Sequence, residues 1–188
     1  MNEFSTYEFV VSQRIEGRWL LARIAMITLY VCFVLAWLVL GFSLEIVVQL
    51  LALIPITTWI LVFCTWRYVA VDYEYSLTSG ELTFSKIFGN RSRRTVLRLT
   101  LRDAVRIAPL ENEAEAQKAT AYAPEREFSA ISSLRAPDIY FILFEYATKE
   151  GGKQKKRRAI FYFEATGRAL QICRFYNPSA TVMTPTKR

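Results

Sequence analysis

The chain has 188 residues, a formal charge of +7, three cysteines and no histidine. That length holds one soluble domain beside a membrane segment. Without histidine there is no imidazole acid–base catalysis and no ordinary zinc site, and three scattered cysteines supply neither a thiolate cluster nor a disulfide framework. The seven glycines never fall into a phosphate-cradling pattern. Asp72, Asp103 and Asp138 are the only aspartates and form no recognisable acid–base couple. Cys173 as a nucleophile would have no histidine base. The expectation is a protein that is not an enzyme and uses no cofactor or metal.

In chain order, residues 1–19 read as an N-terminal segment on the cytoplasmic side. Residues 20–66 follow with only two charges, Arg23 and Glu45. Ile24–Leu44 and Ile46–Trp66 are each 21 residues without a charge. At 1.5 Å per residue each gives roughly 31 Å of helix, enough to cross the ~30 Å hydrocarbon core. Two spans are therefore expected, at about 20–43 and 46–66. The short link at Gly41–Glu45 makes them antiparallel neighbours. A signal-peptide reading of residues 1–43, with Gly41-Phe42-Ser43 as the cleavage triplet, fits less well, because the apolar run is too long and a second span follows at once.

The basic residues set the expected orientation. Arg14, Arg18 and Arg23 flank the first span and Arg67 the second, while the Glu45 loop has no basic residue. Both termini are thus expected in the cytoplasm, in a bacterial inner (plasma) membrane. Trp19, Trp66 and Tyr68 fall at the cytoplasmic interface. Pro55 kinks the second span, with Thr57 or Thr58 re-satisfying the freed carbonyl. Gln49 is the one strongly polar side chain in either span and suits an interhelical hydrogen bond.

From Arg67 onward there are 21 basic and 13 acidic residues. Residues 67–178 read as a cytoplasmic domain. Tyr68–Thr78 and Glu81–Phe88 are strands around the Ser79-Gly80 turn, and Gly89-Asn90 is a second turn. Arg93–Leu101 and Asp103–Leu110 are further strands, the latter ending at Pro109. Glu111–Ala121 is a marginal surface helix whose apolar positions are mostly alanine. A short edge strand is expected near Phe128–Ile131. Asp138–Thr148 is apolar on both faces and reads as a central, buried strand. Gly151-Gly152 turns it into Lys155–Phe163. Glu164–Phe175 changes to helical spacing and Asn177-Pro178 ends it. Residues 179–188 read as a disordered tail. The whole is an α+β membrane protein: a transmembrane hairpin, then an antiparallel sheet or barrel plugged by a C-terminal helix, which is a pleckstrin-homology-like layout.

Asp72-Tyr73-Glu74-Tyr75, Ser79-Gly80-Glu81-Leu82, Lys86-Ile87, Arg93-Arg94 and Ala108-Pro109 resemble a family of small bacterial membrane proteins with two spans followed by such a domain. The resemblance covers roughly residues 20–110 by motif and the rest by layout, and the acidic insertion at 111–127 has no match. It implies a fold and a topology, and no catalytic residue or ligand.

Two basic clusters are the candidate contact sites. Lys153, Lys155, Lys156, Arg157 and Arg158 crowd a hairpin tip, and Arg91, Arg93, Arg94 and Arg98 lie on the hairpin nearer the membrane. Either suits an anionic lipid or an acidic partner; the tip also fits a solvated turn that keeps a strand soluble. Nucleic acid is not expected, because no aromatic stacking motif is interleaved with the charges. The function expected is a scaffold or regulatory subunit of a membrane complex, with a protein partner or a second copy of the chain, or else an anionic-lipid headgroup sensor.

Overall fold

The computed structural model describes residues 6–45, 47–89, 91–133, 135–150 and 153–185. Two long helices, α1 (Gly17–Ser43) and α2 (Val47–Thr65), come early in the chain. They run antiparallel: Tyr30 of α1 shares a 2.7 Å hydroxyl–hydroxyl bond with Thr65, and Arg23 Nε donates to the Val69 carbonyl at 3.4 Å. Both are long and apolar enough to cross a membrane, and only 6% of the apolar window of each is buried. That low burial separates them from the core helices of a soluble protein, which pass the same length and hydropathy test. α2 continues through Pro55, and the Thr57 hydroxyl donates to the Leu53 carbonyl at 2.9 Å. The side chain of Gln49 lies outside the described residues.

The strands form two sheets. The first has the order β1-β2-β3-β4, with β1 Thr6–Ser12, β2 Val71–Thr78, β3 Glu81–Phe88 and β4 Ser92–Thr100. The second has the order β5-β7-β8-β6, with β5 Ala104–Pro109, β6 Arg126–Ala130, β7 Ile139–Glu150 and β8 Lys153–Glu164. Helix α3 (Glu113–Ala121) lies between β5 and β6 in sequence, and α4 (Gly167–Tyr176) follows β8. Of the expected turns, Asn90 and Gly151-Gly152 lie outside the described residues.

Three features differ from the sequence reading. First, residues 1–19 are not merely a leading segment. Thr6–Ser12 is a strand, paired antiparallel with β2 from Thr6↔Thr78 to Ser12↔Asp72. The apolar hairpin is therefore inserted between two adjacent strands of one sheet. Tyr7, Phe9 and Val11 alternate with polar residues as a half-buried strand does, but seven residues beside a much stronger apolar signal are easily passed over. Second, the sheet is not wholly antiparallel, because β6 runs parallel to β8 from Arg126↔Ala159 to Ala130↔Phe163. Third, the segment after α4 is ordered against β5 and β7. Thr181 bridges Ile107, and the Val182 amide donates to the Ile107 carbonyl at 2.8 Å. The Tyr140 and Thr184 hydroxyls lie 2.7 Å apart.

The chain divides into two compact units. Met1–Gln13, Asp72–Lys86 and Arg93–Arg188 form one; Arg14–Val71 and Ile87–Ser92 form the other. In the first, aromatic rings fill the space between the sheets: Phe9 packs on Tyr75 (5.4 Å between centroids), Tyr75 on Phe163 (5.8 Å) and Phe84 on Phe161 (5.1 Å). The Tyr75 hydroxyl, fully buried, donates to the Glu164 carbonyl at 2.6 Å. On its other face the second sheet packs Phe141, Leu143 and Ile160 against Ala119 of α3. β7 is thus covered on both sides, as its doubly apolar sequence requires. Helix α3 contributes more to the core than its alanines suggest, with Tyr122 and Val182 completing the cluster.

Helix α4 closes the domain with Ala169, Leu170, Ile172 and Cys173, all buried. Thr166 caps its start by accepting from the Ala169 amide. At its end, Asn177 Nδ2 donates to the carbonyls of Leu101 (3.0 Å) and Ala104 (2.9 Å), and Oδ1 accepts from the Ala180 amide (3.2 Å). One side chain therefore ties the helix end to the crossover between the sheets and to the ordered tail.

Candidate functional site

The basic tip on β8 is not a single patch. Strand alternation sends Lys156 and Arg158 to the α3 side of the sheet and Lys155 and Arg157 to the other. Lys156 lies 3.6 Å from Glu145, and Arg157 lies 3.3 Å from Glu125. Arg158 donates to the Tyr122 carbonyl at 3.1 Å and covers the Tyr122 ring at 5.4 Å. These contacts fasten the chain after α3 onto β8, where the Glu125 amide also donates to the Arg158 carbonyl. Lys155 is exposed, and the side chain of Lys153 lies outside the described residues.

The arginines of residues 91–98 also part company. Arg93 reaches the nearly buried Glu74 at 2.5 Å, and Arg98 meets Glu81 at 3.3 Å. Arg94 is exposed on β4. Arg91 belongs with the helical hairpin, where its guanidinium carbon sits 3.6 Å from the centroid of Phe63. This is a close cation–π stack.

Arg91 is held there by the turn before it. The Gly89 amide donates to the Ala70 carbonyl at 2.7 Å, in the chain just past α2. Gly89 has φ +56°, and a Cβ there would meet the Arg67 Cβ at 3.0 Å and its Cα at 3.1 Å. Only glycine tolerates both the left-handed backbone and this approach. Arg67 donates to the Tyr68 hydroxyl at 2.9 Å. Trp59, Phe63, Trp66, Arg67, Gly89 and Arg91 line a half-open cavity of about 180 Å³. The sequence reading selects Arg91 for its charge, takes Arg67 as a flank of the second span and places only Trp66 of these aromatics at an interface. It has no means of knowing that the Gly89 turn brings them together.

Two further ionisable groups are held within the fold. Glu115 of α3 accepts two bonds from Arg106, at 2.7 and 2.8 Å, and one from Lys118 at 2.8 Å. The Arg106 hydrogen bonds, reinforced by Lys118, hold its carboxyl down at about 2 against the opposing effect of burial. The Cys173 thiol is pushed up to about 12 by burial, which leaves it protonated and unreactive. Among the described residues no three metal-ligating side chains come together.

Two four-stranded sheets packed through aromatic rings and closed by a C-terminal helix define a pleckstrin-homology-like domain, here interrupted by two long apolar helices. The family described as a bacterial PH-like domain (DUF6106) matches residues 4–183, and the chain belongs to it. The match takes in β1, the acidic insertion and most of the ordered tail. No curated protein and no solved structure matches the chain significantly.

Proposed function

We propose that this protein is a non-enzymatic PH-like module anchored in the bacterial inner membrane, acting as a scaffold or regulatory subunit of a membrane complex. The observation that carries the reading is the uncovered apolar surface of α1 and α2. Such surface is costly in water and stable in lipid, where helices satisfy their own backbone groups. Insertion of this hairpin between β1 and β2 ties the module to its anchor at two places in the chain. The domain then offers partners a surface at the membrane. Arg18 and Arg23 of α1 and Arg67 beyond α2 lie toward one end of the antiparallel pair and Glu45 at the other, which supports cytoplasmic termini.

Two measurements test this. A reporter active only outside the cytoplasm should work when inserted near Glu45 and fail after Thr186; activity after Thr186 would reverse the topology. Purification from native membranes in a mild detergent should bring down a stoichiometric protein partner. A chain recovered alone under several detergents would remove the scaffold reading. A headgroup-sensing role for the β8 tip has less support, because Lys156, Arg157 and Arg158 are already engaged within the domain.

A further inference from the structure

We infer that the cavity at the cytoplasmic end of α2 is a binding site for an anionic phospholipid, with the headgroup phosphate between Arg67 and Arg91 and an acyl chain along Trp59, Phe63 and Trp66. The inference rests on the membrane-anchored reading and gives that anchor a chemical preference.

Neither Arg67 nor Arg91 has a carboxylate partner among the described residues, whereas Arg93, Arg98 and Arg106 of the β unit each do. Arg67 and Arg91 both line one cavity whose remaining wall is largely aromatic and aliphatic, with the Arg67 guanidinium beside Tyr68 and that of Arg91 stacked on Phe63. Guanidinium binds phosphate in a planar, two-pronged way, and the rings offer a face to an alkyl chain. A cation at a helix C-terminus offsets the macrodipole. That accounts for Arg67, directly after α2, but not for Arg91, which arrives from a separate hairpin on a turn that needs a left-handed glycine. The void of about 180 Å³ far exceeds the roughly 30 Å³ share of a single water. Charge above, apolar surface below and a position where the helix leaves the lipid together match a phospholipid, and fit a free anion poorly.

The test uses the full chain in nanodiscs, with Trp19 and Trp37 changed to Phe so that Trp59 and Trp66 report. The discs carry either phosphatidylglycerol or phosphatidylcholine with brominated acyl chains, each diluted in unbrominated phosphatidylcholine. Phosphatidylglycerol should quench at much lower mole fraction. Two cations close to an anionic headgroup correspond to a preference of up to about 30-fold. The R67Q/R91Q double variant should quench equally with both lipids. The K155S/K156S variant should keep the preference. G89A, which displaces the turn, should lose most of it, with both arginines still present. Equal quenching by the two lipids in the unaltered chain, or an unchanged preference in R67Q/R91Q, overturns the site while leaving the anchor intact. No quenching by either lipid refutes the membrane reading itself. Loss of the preference on adding millimolar glycerol phosphate would assign the site to a free anion and overturn the lipid.

Discussion

The two compact units of this chain solve opposite solvent problems. Between Ile15 and Tyr68, large apolar side chains point outward; elsewhere among the described residues only Val10, Val105, Leu110 and Phe175 are large, apolar and exposed. The β unit instead hides Tyr75, Phe84, Phe141, Phe161 and Phe163 almost completely. Arg93, Arg98 and Arg106 of that unit meet carboxylates, while the hairpin unit sets Arg67 and Arg91 against aromatic rings. One chain thus carries a core that water drives together and a surface that water would reject. The chain passes from one to the other beside the β1–β2 pair, leaving the sheet after Ser12 and returning to it by Asp72.

The sharpest way to break this comparison is to remove β1. A fragment of residues 71–185 keeps both sheets except that strand, and should lose roughly 3–5 kcal/mol through exposure of Tyr75 and its neighbours. Its thermal melt should show no cooperative transition. Because Ser12 pairs with Asp72, joining residues 6–12 to the fragment through a short Gly/Ser linker should restore the transition. If the two fragments melt alike, β1 is dispensable to the β unit.

A charge inside the β unit should come next. Ile172 is fully buried on α4, and I172D should cost about 3–4 kcal/mol by placing a carboxylate in an apolar interface. Urea midpoints of the linked fragment measure it. A loss below about 1 kcal/mol would mean that α4 packs loosely.

A smaller effect tests the ion cluster on α3. Glu115 titrates at about 2 in the folded chain, below its ordinary value of 4.5. A depressed carboxyl contributes stability that is fully present above the unfolded value and lost as pH falls from about 4.5 toward 2. Its side chain is 7% exposed and both cations are partly solvated, so the contribution should be about 1–2 kcal/mol after screening. E115Q should flatten that part of the stability–pH curve and lower stability at pH 7. An unchanged curve would show that another group carries the acid dependence.

The smallest effect is expected at the β8 tip. K155S/K156S removes an exposed lysine and a 3.6 Å surface pair, and should change stability by less than about 0.5 kcal/mol. A larger loss would mean that these charges hold the hairpin rather than merely solvate it.

Much of this was legible in the residues. The two helices follow from 21-residue runs without charge, since a local property, hydropathy over a fixed length, decides them. The buried strand β7 follows from apolar residues on both faces, and the end of α4 from Asn177-Pro178. Long-range pairings were not legible. Thr6–Ser12 has alternation but no mark of its partner, which lies about sixty residues away beyond the hairpin. β6 carries no sign that it runs parallel to β8, because strand direction is set by the connection and not by the side chains. The polar segment after Asn177 looked free because its contacts are backbone bonds to Ile107, which composition does not record.

The sequence by itself determined the class of each segment: apolar and long enough for a membrane, or alternating and turn-punctuated enough for a sheet. Only the tertiary structure decided which cations matter together. Arg157 and Arg158 are drawn to Glu125 and Tyr122, while Arg91, two residues from the salt-bridged Arg93 in the same basic run, is carried to Phe63 and lines a cavity with Arg67. Charge density along a chain is a one-dimensional quantity. Whether two arginines line one cavity depends on a glycine turn that lets one backbone approach another, and that closeness exists only once the chain has folded.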